Sequence, residues 1–216
     1  MSRILSPAIC LAWTDLANTF TSYDLAKLCA HTAAAKPNMP LAVYVATGST
    51  VPQQREILAE TVIAKGHSHG FWVDSDMRFP KTALVDLLAH DAPMVGANYV
   101  SRHAPFNPTA IKDVETDERA FTAIDSTGLE PVAAMGFGCV LTSRDALEAI
   151  ERPRFTYGWN ISQQRHIIED TFFCWKLAQV GIPIAIDHDL SKQVSHLGMR
   201  EYVHTDASQP VVKLMA

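Results

Sequence analysis

The sequence predicts a single α/β domain with a mixed, mostly parallel sheet and helices on both of its faces. Short apolar runs rich in β-branched and aromatic residues recur along the first hundred residues, and segments with helical spacing separate them. The connections between these elements are short, as is usual when helices cover a parallel sheet. The chain has 216 residues, 48% of them hydrophobic, which is enough to bury one well-packed core.

Four predicted strands alternate with three predicted helices in the first half of the chain. The strands are apolar runs bounded by turn residues, and they are expected at 8–13, 41–46, 71–73 and 93–99. The helices begin near capping or proline residues, and they are expected from Thr21 or Ser22 to about Lys36, from Pro52 to Gly66 and from Lys81 to His90. Ligands of such sheets bind beyond the carboxyl ends of the strands, where Asp15, residues 47–49 and the acids after residue 73 are expected.

The pattern changes after Tyr99. Residues 101–108 are expected to form a polar loop, and 109–134 to form antiparallel strands or a flap, because charged turns interrupt short apolar runs. The later elements are expected to be a strand at 139–141, a helix at 144–150 capped by Ser143, an irregular aromatic segment at 153–164, a helix from Glu169 to about Val180, and strands at 182–186 and 194–196. Residues 1–200 are therefore expected to form one domain, with 201–216 as a tail.

Composition narrows the class of protein. The formal charge is −5 and the pI about 6.0, which argues against a general nucleic-acid-binding face. No run approaches the roughly 18 apolar residues of a membrane span. The four cysteines form no CxxC pair, which favours reduced core thiols and a cytoplasmic location.

Two acids follow the third predicted strand, in the segment Asp74-Ser75-Asp76. In extended chain, residues two apart face the same side, so both carboxylates can face the space beyond the strand. Like charges this close repel unless a cation or hydrogen-bond donors lie between them. The pair therefore indicates a site for magnesium, manganese or calcium. The alternative is a solvated turn in which Asp76 caps the next helix.

Four later residues could complete such a site. Glu169 and Asp170 open a predicted helix, where acids also stabilise the helix dipole, so a general base is one of two interpretations. His196 follows a late strand, and although a lone histidine is usually a surface residue, an imidazole here would complete a cation site and favour manganese over calcium. Arg200 is then well placed to bind a phosphate.

Five segments in this order resemble the nucleotide-sugar glycosyltransferases of the GT-A fold, particularly the family 2-like enzymes of phage and bacterial genomes. They are FWVDSDMRFP, VGANY, MGFGCVLTSRDALEAI, EDTFFCWKLAQVGIPIAID and VSHLG, and the resemblance covers most of the chain from about residue 41 to 198. The sequence departs from the family at AICLAWTDLANTF, which lacks a clear loop signature. Gln54-Arg55-Glu56 stands where members of the family often have Arg-Asn, so only Arg55 matches that motif.

The resemblance implies a role for each candidate residue. It implies that Asp74, Asp76 and His196 hold Mn²⁺ or Mg²⁺, with Asp76 as the direct ligand, and that Asp170 is the base with Glu169 as the alternative. The residues that it implies for donor binding are Asp15, Arg55, Asp74, Ser75, Asp76 and Arg200. Those that it implies for the sugar and acceptor pocket are Met135, Gly136, Phe137, Gly138, Arg102 and Trp159.

The resemblance also implies the activity. It implies metal-dependent transfer of a sugar, with inversion, from a nucleotide-diphosphate sugar (foremost a UDP-sugar) to a hydroxyl of a glycan, protein or other acceptor. Residues 1–108 would then bind the nucleotide, and 109–200 the acceptor. Two alternatives stay open: another metal-dependent nucleotidyltransferase or hydrolase on a similar sheet, and a non-catalytic carbohydrate-binding module.

Overall fold

A seven-stranded sheet forms the centre of the protein in this computed structural model, which describes residues 5–14, 16–102, 105–160, 164–198 and 201–207. The strands, numbered in chain order, are β1 (Pro7–Ala12), β2 (Ala42–Ala46), β3 (His69–Val73), β4 (Met77–Arg78), β5 (Met94–Gly96), β6 (Ile111–Asp113), β7 (Glu118–Arg119), β8 (Leu129–Pro131), β9 (Cys139–Ser143), β10 (Gly158–Asn160), β11 (Arg165–Ile167), β12 (Ala185–Asp187), β13 (Ser195–Leu197) and β14 (Glu201–Tyr202). The helices are α1 (Thr19–Ala35), α2 (Val51–Ala64), α3 (Ala83–Ala89), α4 (Arg144–Glu148), α5 (Glu169–Gln179) and α6 (His188–Ser191), with a 3-10 turn at His204–Asp206.

The central sheet is mixed and mostly parallel, which confirms the predicted fold class. Its strand order is β2-β1-β3-β9-β5-β12-β8. Strands β2, β1, β3, β5 and β12 run the same way, while β9 and β8 run antiparallel to their neighbours. Strand β9 lies between β3 and β5, so an element from the second half of the chain separates two strands of the first half.

Helices cover both faces of the sheet, because side chains along each strand alternate between the faces. Ile9 and Phe71 belong to a buried cluster that includes residues of α1, α3 and α6. Cys10 and Trp72 belong to a second cluster, with residues of α2, α4 and α5. The indole N–H of Trp72 donates to Thr142 Oγ1 at 2.9 Å, so the largest buried side chain on this face has its polar atom satisfied.

Several element ends differ from the sequence prediction. Helix α1 is capped by Asn18, three or four residues before the predicted cap at Thr21 or Ser22, and the Asn18 side chain accepts a hydrogen bond from Phe20 N. Ser143 caps α4 as predicted, accepting from Ala146 N at 3.1 Å. Helix α6 was not predicted, and the Asp187 carboxylate begins it by accepting from two backbone N–H groups.

A small sheet joins the late histidine to the early acids. Its strand order is β14-β13-β4, and it pairs His196 with Met77, directly after the acids. Leu197 N donates to Asp76 O at 2.7 Å, which extends the pairing by one residue. The predicted tail therefore contributes a strand at 201–202, which pairs with β13. Two-residue strands such as β4 have too little pattern to be recognised without their partner.

Two further expectations concern the whole chain. The four cysteines carry free thiols in the structure. Within the ranges given above, no helix is both long enough and apolar enough to span a membrane.

Candidate functional site

Each of the two acids after β3 is paired with an arginine. Asp74 Oδ1 lies 3.0 Å from Arg55 Nη2, and Asp76 Oδ2 lies 2.9 Å from Arg102 Nη1. The Arg55 side chain is 4% exposed, whereas that of Arg102 is 41% exposed. The two carboxylates therefore meet different cations, one of them buried in the fold and the other open to solvent.

Backbone contacts hold the acidic turn in place. Asp74 N donates to Gly138 O at 3.3 Å, and Asn18 N donates to Ser75 O at 2.9 Å. The carbonyl of Ser75 thereby ties the start of α1 to this turn. Ser75 thus does more than space the acids, because its backbone joins two loops at the same edge of the sheet.

Arg55 connects the acidic turn to the start of α5. Its Nη1 donates to Glu169 Oε1 at 2.9 Å while its Nη2 contacts Asp74, and its guanidinium lies 5.1 Å from the centre of the Phe137 ring. Burial alone would lower the pKa of Arg55, but Asp74, Asp170 and Glu169 outweigh it and raise that pKa above its ordinary value. Arg55 was expected to contact the nucleotide, and the structure places it as a buried link between acids.

Asp170 differs sharply from its neighbour Glu169. The pKa of Asp170 is raised to about 6: burial is the largest cause, the charges of Glu169 and Asp74 act in the same direction, and Arg55 and the Thr171 N–H act in the opposite direction. Its Oδ1 accepts from Thr171 N at 2.7 Å, and its side chain lines a cavity. A carboxylate with a pKa near 6 is available as a base at neutral pH. The Glu169 carboxylate instead accepts a hydrogen bond from Arg55 Nη1.

Asp76 and His196 face each other. His196 Nε2 lies 3.4 Å from Asp76 Oδ1, and His196 Nδ1 lies 3.1 Å from Val100 O. A carbonyl oxygen only accepts, so Nδ1 carries a proton and donates it to Val100 O. Burial alone would raise the pKa of Asp76, but His196 and Arg102 outweigh it and lower that pKa below its ordinary value. Nε2 is therefore the ring nitrogen through which His196 could share a cation with the Asp76 carboxylate.

The residues present fit part of a divalent-cation site. Asp76 supplies a carboxylate oxygen and His196 an imidazole nitrogen, a donor set suited to manganese. Asp74, the third expected ligand, contacts Arg55 instead. Across the part of the chain that the structure describes, no group of three or more His, Cys, Asp or Glu side chains is arranged to hold a metal ion. Substrate phosphates usually supply the remaining oxygens at such sites.

A cavity of about 320 Å³ opens beside Asp170. Its walls come from residues 107–119, which include the β6–β7 hairpin, from Gly136, and from residues 166–171 at the start of α5. The hairpin corresponds to the flap expected after residue 109. The cavity therefore brings the candidate base together with the antiparallel segment predicted after residue 109.

The segment 135–138 packs mainly in the core beneath the cavity, and only Gly136 lines it. Gly136 lines the cavity, but Met135 and Phe137 are buried in the core and do not line it. A Cβ added to Gly136 would lie 2.5 Å from the Tyr99 hydroxyl, and one added to Gly138 would lie 2.8 Å from it. Gly138 N donates to that hydroxyl at 3.0 Å. The glycines are thus required for close packing against Tyr99.

Of three other predicted residues, the structure describes Trp159. Trp159 is on β10, and its ring is 4.8 Å from that of His166, which lines the cavity. Asp15 and Arg200, both expected at the donor, lie outside the described residues. Sequence reasoning missed Tyr99, although it stands in the quoted VGANY segment, because a buried tyrosine is ordinarily core.

Comparisons with known proteins bear on the fold. No family model matches the sequence, and no curated protein matches it. A solved structure described as "A197 from STIV" is 14% identical, with a TM-score of 0.55 over 90% of this chain and 86% of that chain. A glycosyltransferase involved in the glycosylation of the major capsid of PBCV-1 is also 14% identical, with a TM-score of 0.31 over 66% of this chain and 62% of that chain. The first likeness supports the fold alone, and the second is too weak to support an argument.

Proposed function

We propose that this protein is a metal-dependent glycosyltransferase that moves a sugar from a nucleotide-diphosphate sugar, foremost a UDP-sugar, to an acceptor hydroxyl with inversion. The observation that carries the proposal is the pair of dissimilar acids at the start of α5. Glu169 is bound to Arg55, whereas Asp170 has a pKa of about 6 and lines a cavity. Divergent environments of two neighbouring carboxylates are typical of acid–base sites.

On the donor side, Asp76 and His196 would hold the Mn²⁺ or Mg²⁺. The bound ion would neutralise negative charge on the departing nucleoside diphosphate. Arg102 has a separate task, because its guanidinium is exposed and shares the Asp76 carboxylate. Once Asp76 binds a cation, Arg102 is released to bind the diphosphate, for which its planar guanidinium is well suited.

On the acceptor side, Asp170 would take the proton of the attacking hydroxyl. The hydroxyl oxygen then forms a bond to the anomeric carbon, and the bond to the diphosphate breaks, with its electron pair leaving on the diphosphate. Attack from the face opposite the leaving group inverts that carbon. The cavity would hold the acceptor oxygen in line with the breaking bond between the anomeric carbon and the diphosphate. Such positioning accounts for much of the rate of group transfer.

A thermal-shift panel tests the donor half of this proposal. We expect a UDP-sugar to raise the melting temperature only when manganese is present, because a ligand that binds only the folded state stabilises it by about 2.7 kcal/mol at a hundred times its Kd. Asp76→Asn should abolish the shift without lowering the melting temperature of the free protein by more than about 5 °C. A panel of nucleotide sugars with manganese that produces no shift would refute the proposal.

A further inference from the structure

Exposed aromatic and apolar side chains adjoin the cavity beside Asp170. Trp159 is 50% exposed and Ile168 is 54% exposed. Ile168 and His166 line the cavity, and the Trp159 ring packs edge-on against His166 with an interplanar angle of 77°. The Trp159 ring therefore adjoins the cavity wall through His166. Large exposed apolar groups gathered beside a pocket are typical of a ligand-binding surface.

The charges of the cavity favour an uncharged ligand. Arg119 is the sole lysine or arginine among the described residues that line it, and its Nη2 is 2.6 Å from Asp117 Oδ1 while its Nη1 donates to Pro108 O. Its positive charge is thus already neutralised within the hairpin. Asp170 would repel an anionic ligand when it is ionised as a base. Ile111 and Val114 give the same wall an apolar surface.

Two polar atoms of the lining residues have unused hydrogen-bonding capacity. Thr109 Oγ1 and Arg119 Nε are buried and lack hydrogen-bond partners among the described residues. A buried polar group without a partner costs about 1–3 kcal/mol. Since Thr109 lines the cavity, a hydroxyl of a bound ligand would be a suitable partner for its Oγ1. Apolar walls combined with such groups match a sugar ring, which has apolar C–H faces and hydroxyls at its edge.

We propose that the acceptor is an uncharged saccharide of at least two units. Its terminal unit occupies the cavity, with the reacting hydroxyl against Asp170 and another at Thr109, and the next unit stacks its apolar face on Trp159. This inference rests on the proposed function, since Asp170 is the base in both. It selects a glycan over a protein acceptor, because an exposed indole beside a cavity with apolar walls fits successive sugar rings.

Saccharide binding to the full-length chain without donor tests the inference. The probes are maltotriose, cellotriose, triacetylchitotriose and their monosaccharides, with trigalacturonate as an anionic counterpart and a serine-rich peptide as a protein-like one, measured by saturation-transfer NMR. We expect at least one neutral trisaccharide to bind about tenfold more tightly than its monosaccharide and than the anionic and peptide probes. Absence of neutral-saccharide binding, or preference for the peptide, overturns the inference.

Matched variants locate the binding surface. Trp159→Ala should weaken trisaccharide binding about tenfold, and Trp159→Phe should retain most of it, because an aromatic face remains. Thr109→Val should also weaken binding severalfold, since it keeps the shape and removes the hydroxyl. Trp175→Ala is the control, because Trp175 is 44% exposed, stacks on Phe172 and does not line the cavity. Equal losses in Trp159→Ala and Trp175→Ala would overturn the assignment.

The thermal-shift panel of nucleotide sugars distinguishes the transferase proposal from the inference about the acceptor. A manganese-dependent shift with UDP-sugar, combined with no saccharide binding, removes the inference about the acceptor and leaves the transferase proposal standing. Saccharide binding that depends on Trp159, without any shift from a nucleotide sugar, leaves a carbohydrate-binding cavity and refutes the transferase.

Discussion

Neighbouring residues with the same charge have different environments in this site. Glu169 and Asp170 are adjacent in the sequence, yet one is bound to Arg55 and the other has its pKa raised to about 6 by burial. The sequence identified the pair but left open which acid is the base. Their contacts favour Asp170, because a carboxylate that already neutralises a buried arginine cannot leave it without a large free-energy cost.

Asp170→Asn should therefore lower the transfer rate by about 10²–10⁴-fold while UDP-sugar binding stays unchanged, because it removes only the base. Radiometric transfer assays and calorimetric titration of the donor with manganese measure the two effects. The companion variant Glu169→Gln should mainly lower the free energy of unfolding, since Arg55 loses a charged partner. Full transfer activity in Asp170→Asn would move the base to another residue.

The raised pKa of Asp170 predicts two opposite pH dependences. Activity should rise with pH through about 6, because the base must be ionised. Stability should respond in the other direction. The folded protein holds this proton more tightly than the unfolded chain, so the stabilising contribution is complete at low pH and is lost as pH rises through about 6. Asp170→Asn should thus be at least as stable as wild type above pH 6, and denaturant melts at pH 4 and pH 7.5 measure this.

The contrast between the two arginines predicts the effect of removing Arg102. Because its guanidinium competes with a metal ion for Asp76, Arg102→Ala should raise manganese affinity severalfold and weaken donor binding, as followed by electron paramagnetic resonance and calorimetry. Arg152→Ala is a suitable control, since Arg152 pairs with Glu56 and Glu60, away from the acidic turn. Weaker manganese binding by Arg102→Ala would contradict the competition.

At the scale of elements, the strands and helices with clear apolar patterns were predictable in both halves of the chain, and the two-residue strands and the short helix α6 were not. Strand β3 and helix α5 have strong apolar patterns and clear end signals, so both were located within a few residues. Strand β4 is defined by its pairing with β13, more than a hundred residues later in the chain. The residue pattern of a short strand does not reveal which distant strand it pairs with. The same limit hid the cavity, whose walls come from three separate segments.

The segment 135–138 allows a test of close packing between elements. Gly136→Ala should lower the free energy of unfolding by about 1–3 kcal/mol, because the new methyl group meets the Tyr99 hydroxyl at 2.5 Å. Tyr99→Phe removes that oxygen and should recover part of the loss in the double variant, although by itself it leaves Gly138 N–H without its partner. A double-mutant cycle from urea denaturation measures the coupling, and strictly additive effects would contradict it.

For the whole molecule, Arg55 connects the two halves of the chain at the site. It lies on α2 and contacts both the turn after β3 and the start of α5, residues up to 114 positions apart in sequence. Sequence reasoning located the acids and the histidine from local patterns. It missed this bridging role, because an arginine within a helix is ordinarily at the surface.

Arg55→Met should therefore destabilise the protein by about 3–5 kcal/mol, because two partly buried carboxylates lose their cation together. Chemical denaturation at pH 7 measures the loss. The variant should recover part of its stability as the pH falls, because its unpaired acids become protonated. Arg55→Lys should recover only a fraction, since an ammonium group cannot reach both acids with the geometry of a guanidinium. Wild-type stability in Arg55→Met would mean that the bridge contributes little.

The position of β9 limits how this fold can be rearranged. The strand comes from the later part of the chain, yet both of its neighbours in the sheet, β3 and β5, come from the earlier part. A donor-specific segment and an acceptor-specific segment therefore cannot be recombined by joining two pieces end to end. Any transplanted second half must also supply a strand that pairs in register, on both edges, with the recipient's β3 and β5. New specificity is more accessible through the β6–β7 and β10–β11 hairpins, which lie outside the central sheet and can change without breaking it.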